Sequence, residues 1–200
     1  MKAHGFEGGN VPWRPTVRQL EEARGWSLRD VIAPGLLVLF SGINPSLYSA
    51  AVGHHFARPG NRFWRALFQA ELTERLLSPF EDSLLLERRL GCTNLVPRAT
   101  ARADELSDSE LRAGACRLRE LVLEHRPAWL AVLGVSAYRN GFGVPMARVG
   151  AQQEQIGETG IWVLPNPSGL NAHYQLPALV EAYRELRQAS ARSRGHPADA

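Results

Sequence analysis

The sequence is poor in lysine: of its 23 basic residues only Lys2 is one, and the rest are arginine. An internal lysine amine is the usual Schiff-base nucleophile, so any sugar chemistry carried out by this chain is expected to use water instead. Cysteine is almost as scarce. Cys92 and Cys116 stand apart and form no Cys-x-x-Cys, which excludes a cysteine-held zinc or iron-sulfur site, and both read as small buried residues. No apolar run approaches the length of a bilayer span, and the N-terminus lacks the basic-then-apolar plan of a signal peptide, so no membrane association and a cytoplasmic setting are expected. No Gly-x-Gly-x-x-Gly or Walker pattern follows the first apolar run, and Ser168 lies in Pro-Ser-Gly rather than a Gly-x-Ser-x-Gly elbow. These absences argue against dinucleotide or ATP binding and against a serine hydrolase. His54 and His55 are adjacent, so in an extended segment their side chains diverge, and no metal is assigned to them.

What is present is one modest core. Two hundred residues with 44% hydrophobic composition suffice for a single domain, and the net charge of +3 suits a polyanionic partner without requiring one. Residues 1–29 read as an N-terminal extension: Gly- and Pro-rich to about residue 15, then a short helix announced by Thr16 and Gln19, a capping-box pair, and stopped at Gly25. Residues 189–200 are small and polar and read as a disordered tail. The core is expected over residues 30–188.

Within it, four short apolar runs, Leu36 to Phe40, Cys92 to Val96, Ala128 to Leu133 and Ile161 to Leu164, do not alternate with polar residues, as expected of strands buried on both faces. Helical patterns lie between them at Asn61 to Ala70, Pro79 to Leu90, Asp108 to His125 and Val135 to Gly141, and Leu176 to Gln188 follows the last run. Met146 to Gly157 carries a weak strand or hairpin signal. The repeated order strand, helix, strand predicts an α/β protein, a three-layer α/β/α sandwich around a short, mostly parallel sheet.

Open parallel sheets bind ligands beyond the carboxyl ends of their strands. Three such places carry an amide: Asn44 in Gly42-Ile43-Asn44-Pro45, Asn94 in Cys92-Thr93-Asn94-Leu95-Val96, and Asn166 in Pro165-Asn166-Pro167-Ser168. Taken singly, an Asn-Pro pair reads equally as a turn initiator. The stretch from Asn44 to Pro59 reads as a long loop without a convincing helix, and such loops in compact domains tend to be functional. Its small residues, Ser49 among them, let backbone approach a ligand, and Phe56 reads either as a stacking platform for a planar ring or as a core plug. Arg58, Arg62 and Arg65 follow, suited either to phosphate or to a solvated helix face.

Three ordered segments then carry a resemblance: Gly42-Ile43-Asn44-Pro45, Phe56-Ala57-Arg58-Pro59-Gly60-Asn61-Arg62-Phe63-Trp64, and Asn166-Pro167-Ser168-Gly169-Leu170. With Val163-Leu164-Pro165 and Glu181-Ala182-Tyr183-Arg184-Glu185-Leu186 at fixed spacing, the chain resembles the mismatch-specific uracil/thymine-DNA glycosylase family from about Asp30 to Leu186. The resemblance implies a monofunctional DNA glycosylase that flips a uracil-like base from mismatched duplex DNA and hydrolyses its N-glycosidic bond without metal or cofactor. In that scheme Asn44 holds the attacking water, Asn94 helps to orient water or sugar, and Gly42, Ile43, Ser49 and Phe56 receive the base. Backbone N–H groups near Ile43 and Phe56 face the charge that develops on it. Asn166, Ser168, Gly169, Leu170 and Asn171 contact DNA, with Leu170 as the wedge that fills the gap. The partner implied is double-stranded DNA bearing a mismatched or damaged pyrimidine, met by a monomer.

Two departures stand out. Ser46 occupies the family's usual Gly position, where it narrows the approach to the base or adds a hydrogen bond, and Ala172 replaces the arginine common two residues beyond the wedge, with His173 or Tyr174 as substitutes. Because an amide is no proton acceptor, the alternative left open is a lesion-binding module with little chemistry. A hydrolase of free nucleosides is a weaker third reading.

Overall fold

The first strand, Val38–Gly42 (β1), is buried along its whole length. Val38 and Phe40 enter one apolar cluster and Leu39 the other, so the strand has a core on each face. The same division holds in Trp129–Leu133 (β3), where Ala131 and Leu133 face one cluster and Leu130 and Val132 the other. A continuous apolar run is what two covered faces demand. Leu90–Asn94 (β2) and Thr159–Leu164 (β5) complete the parallel part of the sheet, and Gly150–Ile156 (β4) pairs antiparallel with β5 at the edge. The computed structural model describes residues 14–192, and among them the strand order is β2-β1-β3-β5-β4.

Helices cover both faces. Phe63–Gln69 (α3) and Leu176–Arg192 (α6) pack on one side, and Asp108–His125 (α4) and Val135–Phe142 (α5) on the other. The protein is therefore an α/β/α sandwich with a five-stranded, mostly parallel sheet, as the sequence predicts. No helix among the described residues is long and apolar enough to cross a membrane. The Gly- and Pro-rich residues 1–13 and the end of the polar tail, 193–200, lie outside the described residues.

The N-terminal helix, Val17–Glu22 (α1), carries the Thr16–Gln19 capping box read from the sequence. Elsewhere the structure corrects the reading: Cys92 is buried as expected, but Cys116 is exposed on α4. The stretch after Asn44 is not structureless: Leu47–Val52 (α2) is a helix capped by the Ser46 hydroxyl, which accepts from the Ser49 N–H at 3.1 Å, and ended by Gly53 at φ 79°. So short a helix shows no apolar periodicity, and only its two caps betray it. The helix expected at Pro79 to Leu90 is a run of 3₁₀ turns, Pro79–Arg88, bent at Glu81. There the carboxylate of Asp82 is drawn to His54 and His55, which competes with regular helix geometry. The weak signal at Met146 to Gly157 is β4, a polar edge strand, and α6 runs on to Arg192.

Candidate active site

After β1 the chain goes first to β2 on one side and then to β3 on the other, so β1 sits at the switch point where a crevice opens beyond the strand ends. A cleft of about 740 Å³ occupies that place. Gly42, Ile43, Asn44, Ser49, Phe56, Asn94, Asn166, Ser168, Leu170 and Asn171 all line it. Gly169 does not; it is exposed and faces Gly60, whose carbonyl oxygen would lie 2.7 Å from a Cβ at Gly169.

Asn44 is half-buried, and its amide is pinned. Nδ2 donates to the Arg98 carbonyl at 3.0 Å and to Thr100 Oγ1 at 2.7 Å, while Thr100 donates onward to the Arg102 carbonyl. A carbonyl oxygen only accepts, so the atom facing Arg98 is the NH₂ and the amide oxygen is turned away from both anchors. Nothing in the sequence marks Arg98 and Thr100 as partners of Asn44, because they are distant along the chain.

Asn94 closes the neighbouring strand, in register with Gly42, and is only 5% exposed. Its Nδ2 lies 3.5 Å from His55 Nδ1, and His55 Nε2 lies 3.1 Å from the Arg29 carbonyl. Nε2 must then carry the proton, Nδ1 is the acceptor, and Asn94 points its nitrogen to His55 and its oxygen toward Gly42. A Cβ on Gly42 would come within 2.7 Å of that oxygen and 3.2 Å of the Phe56 ring. The Arg117 guanidinium holds the Asn94 backbone carbonyl from behind.

Phe56 adopts φ 54°, unusual for a residue with a side chain, and its ring stacks on Phe63 with centroids 4.0 Å apart. It is thus anchored to the core, as one of its two readings expects, and is half-buried in the cleft wall. Ser49 is buried, and its hydroxyl accepts from the Ala57 N–H and from Ser46, both at 3.1 Å. The serine therefore fastens α2 to the Phe56 segment, and Ser46 serves as a helix cap.

The two histidines diverge as expected, and no cluster of potential metal ligands occurs among the described residues. His54 Nδ1 meets Asp82 Oδ1 at 3.2 Å, and the His55 N–H donates to Asp82 Oδ2 at 3.1 Å. Burial opposes ionisation of Asp82, but these bonds hold its carboxyl below the usual value. Burial also pushes the His55 imidazole below its ordinary 6.5, only partly offset by the Arg29 carbonyl and the charges of Asp82 and Asp30. Between 6.5 and this depressed folded value the unfolded chain binds more protons, so stability is full above 6.5 and is lost as pH falls through that window. The melting temperature is accordingly expected to drop more steeply from pH 7 to pH 5 in the wild type than in His55→Gln, and equal slopes would refute the assignment. Asp82, with its folded value depressed below 3.8, loses its contribution only at lower pH.

At the far wall, Asn166 and Asn171 shape the protruding loop. Asn166 Oδ1 accepts from the Ser168 N–H at 3.0 Å, and Asn171 Nδ2 donates to the Asn166 carbonyl at 2.9 Å. Leu170 is 71% exposed at its tip, while His173 and Tyr174 line the cleft beyond Ala172. Arg62 does not have the free side chain that a phosphate contact would need, since its guanidinium is engaged by this loop. Arg58 is exposed at the rim and Arg65 is exposed on α3.

The sequence model of the Uracil DNA glycosylase superfamily matches residues 30–187. The chain belongs to that superfamily. Membership supports DNA glycosylase chemistry and a DNA partner. A solution NMR structure of a "putative Uracil DNA glycosylase" from Methanosarcina acetivorans shares the fold, with a TM-score of 0.55 at 18% identity over 82% of this chain and 98% of that one.

Proposed function

We propose that the protein is a monofunctional glycosylase that releases uracil and related damaged bases from mismatched, G:U-type duplex DNA and leaves an abasic strand. The observation that carries this reading is Asn44: an amide fixed by two donor bonds, with its oxygen left to accept at the carboxyl end of β1. Water donates one hydrogen bond to that oxygen and attacks C1′ of a sugar with oxocarbenium character; the base departs with the glycosidic electron pair, and the proton that the attacking water loses passes to the departing base or to solvent, since an amide does not take it. The N–H groups of Ile43 and Phe56 face that negative charge, and Phe56 supports the ring. Asn94 presents an acceptor oxygen on the same side, which suits the imide N–H of uracil better than the bare ring nitrogen of cytosine. Leu170 fills the space left in the duplex, between backbone groups of Gly169 and Asn171, with Ser168 close to a phosphate.

No lysine other than Lys2 exists to form a Schiff base, so the strand is left uncut. The setting is taken as cytoplasmic and the protein as a monomer, built on a catalytic unit of residues 30–188. The test is a G:U duplex incubated with excess protein: free uracil and a strand that breaks only after alkali are expected. Intact DNA would overturn the proposal. Asn44, an amide that takes no proton from water, favours one other reading, a lesion-binding module; tight G:U binding with release no faster than spontaneous hydrolysis would select it.

A further inference from the structure

Arg62 stands at the end of the turn that begins with Phe56 and at the start of α3. Its Nη1 donates to the Tyr174 carbonyl at 2.6 Å, and its Nη2 donates to the carbonyls of Ser168 and Asn171, the latter at 3.0 Å. Nε reaches the Pro167 carbonyl at 3.4 Å, and the Arg62 backbone N–H donates to that same oxygen at 3.0 Å. One planar fork therefore gathers four carbonyls of the loop that carries Leu170, a geometry that the single ammonium of lysine cannot copy. At the same junction Gly169 abuts Gly60, with no room for a side chain. Phe56 is itself stacked on Phe63, directly after Arg62.

We propose that Arg62 is a positioning residue that locks the Leu170 loop to the Phe56–Arg62 turn, so that wedge and base platform meet DNA as one rigid piece. The functional half of this rests on the reading of Leu170 and Phe56 given above; the structural half does not. A loop already held in its working shape needs no ordering when it enters the duplex, so its release slows the chemical step by misplacing the base rather than by removing a charge contact.

Amide hydrogen exchange over residues 166–175 in Arg62→Gln and Arg62→Lys tests the lock without DNA. Faster exchange by about tenfold in both variants is expected, with core strands unchanged. Unchanged exchange overturns the proposal. This outcome is readable even if the wild type releases no uracil, which would sink the glycosylase reading alone. On G:U duplex, both variants are expected to lose about 10- to 100-fold in single-turnover rate, with the salt dependence of binding unaltered. Were Arg62→Lys to match the wild type while Arg62→Gln lowered the salt slope by about one, Arg62 would be a phosphate contact and the proposal would fall. Gly169→Ala keeps the charge and wedges the same junction apart at Gly60, so it carries the same exchange test should an Arg62 variant fail to fold.

Discussion

Asn44→Ala is expected to lower single-turnover release of uracil from G:U duplex by on the order of 10²- to 10³-fold while leaving duplex affinity within a few-fold. In the proposed mechanism the side chain contributes a single acceptor to water, so its loss removes the orientation of the nucleophile but none of the proposed DNA-facing surface at Leu170 or Asn166. Tm should change little, because the two donor bonds to Arg98 and Thr100 lie in a half-buried site where water can replace them. Cleavage at the wild-type rate would remove Asn44 from the mechanism. The same anchors suit an amide, since a carboxylate has no N–H to give the Arg98 carbonyl.

Gly42→Ala is expected to cost about 100-fold in the same assay, through the base pocket rather than through water. Its new methyl would lie 2.7 Å from Asn94 Oδ1 and 3.2 Å from the Phe56 ring, and neither neighbour is free to retreat. Asn94 is buried, in register in β2 and turned toward His55, and Phe56 is stacked on Phe63. The methyl therefore projects between the proposed platform and the base-edge acceptor. Weakened substrate saturation alongside the lower rate separates this variant from Asn44→Ala, whose affinity holds. Wild-type kinetics with alanine at position 42 would show that the base is received elsewhere.

Much of the architecture was legible along the chain. The apolar runs at Leu36 to Phe40 and Ala128 to Leu133 read as strands covered on both faces, and the capped pattern at Asp108 to His125 coincides with α4. Strand bounds slipped by up to two residues, since burial and pairing rather than hydrophobicity set them: β1 takes in Ser41 and Gly42, and β5 takes in Thr159 and Gly160, which the apolar runs leave out. Helix α2 was hidden by its shortness, and the 3₁₀ turns at Pro79–Arg88 by a carboxylate whose partners lie far back in the chain.

By itself the sequence determined which residue types meet at the cleft: amides at strand ends, an aromatic and an apolar tip at fixed spacing, and no lysine beyond Lys2. Local pattern suffices for this because strand ends, turns and residue chemistry are properties of short segments. Only the tertiary structure decided which way each amide faces and what each arginine holds. Thr100 and Arg98 orient Asn44, His55 orients Asn94, and Arg62 closes on the loop at Leu170. Each of these is a directional hydrogen bond between segments far apart in sequence, set by geometry that exists only once the sheet has brought its strand ends together.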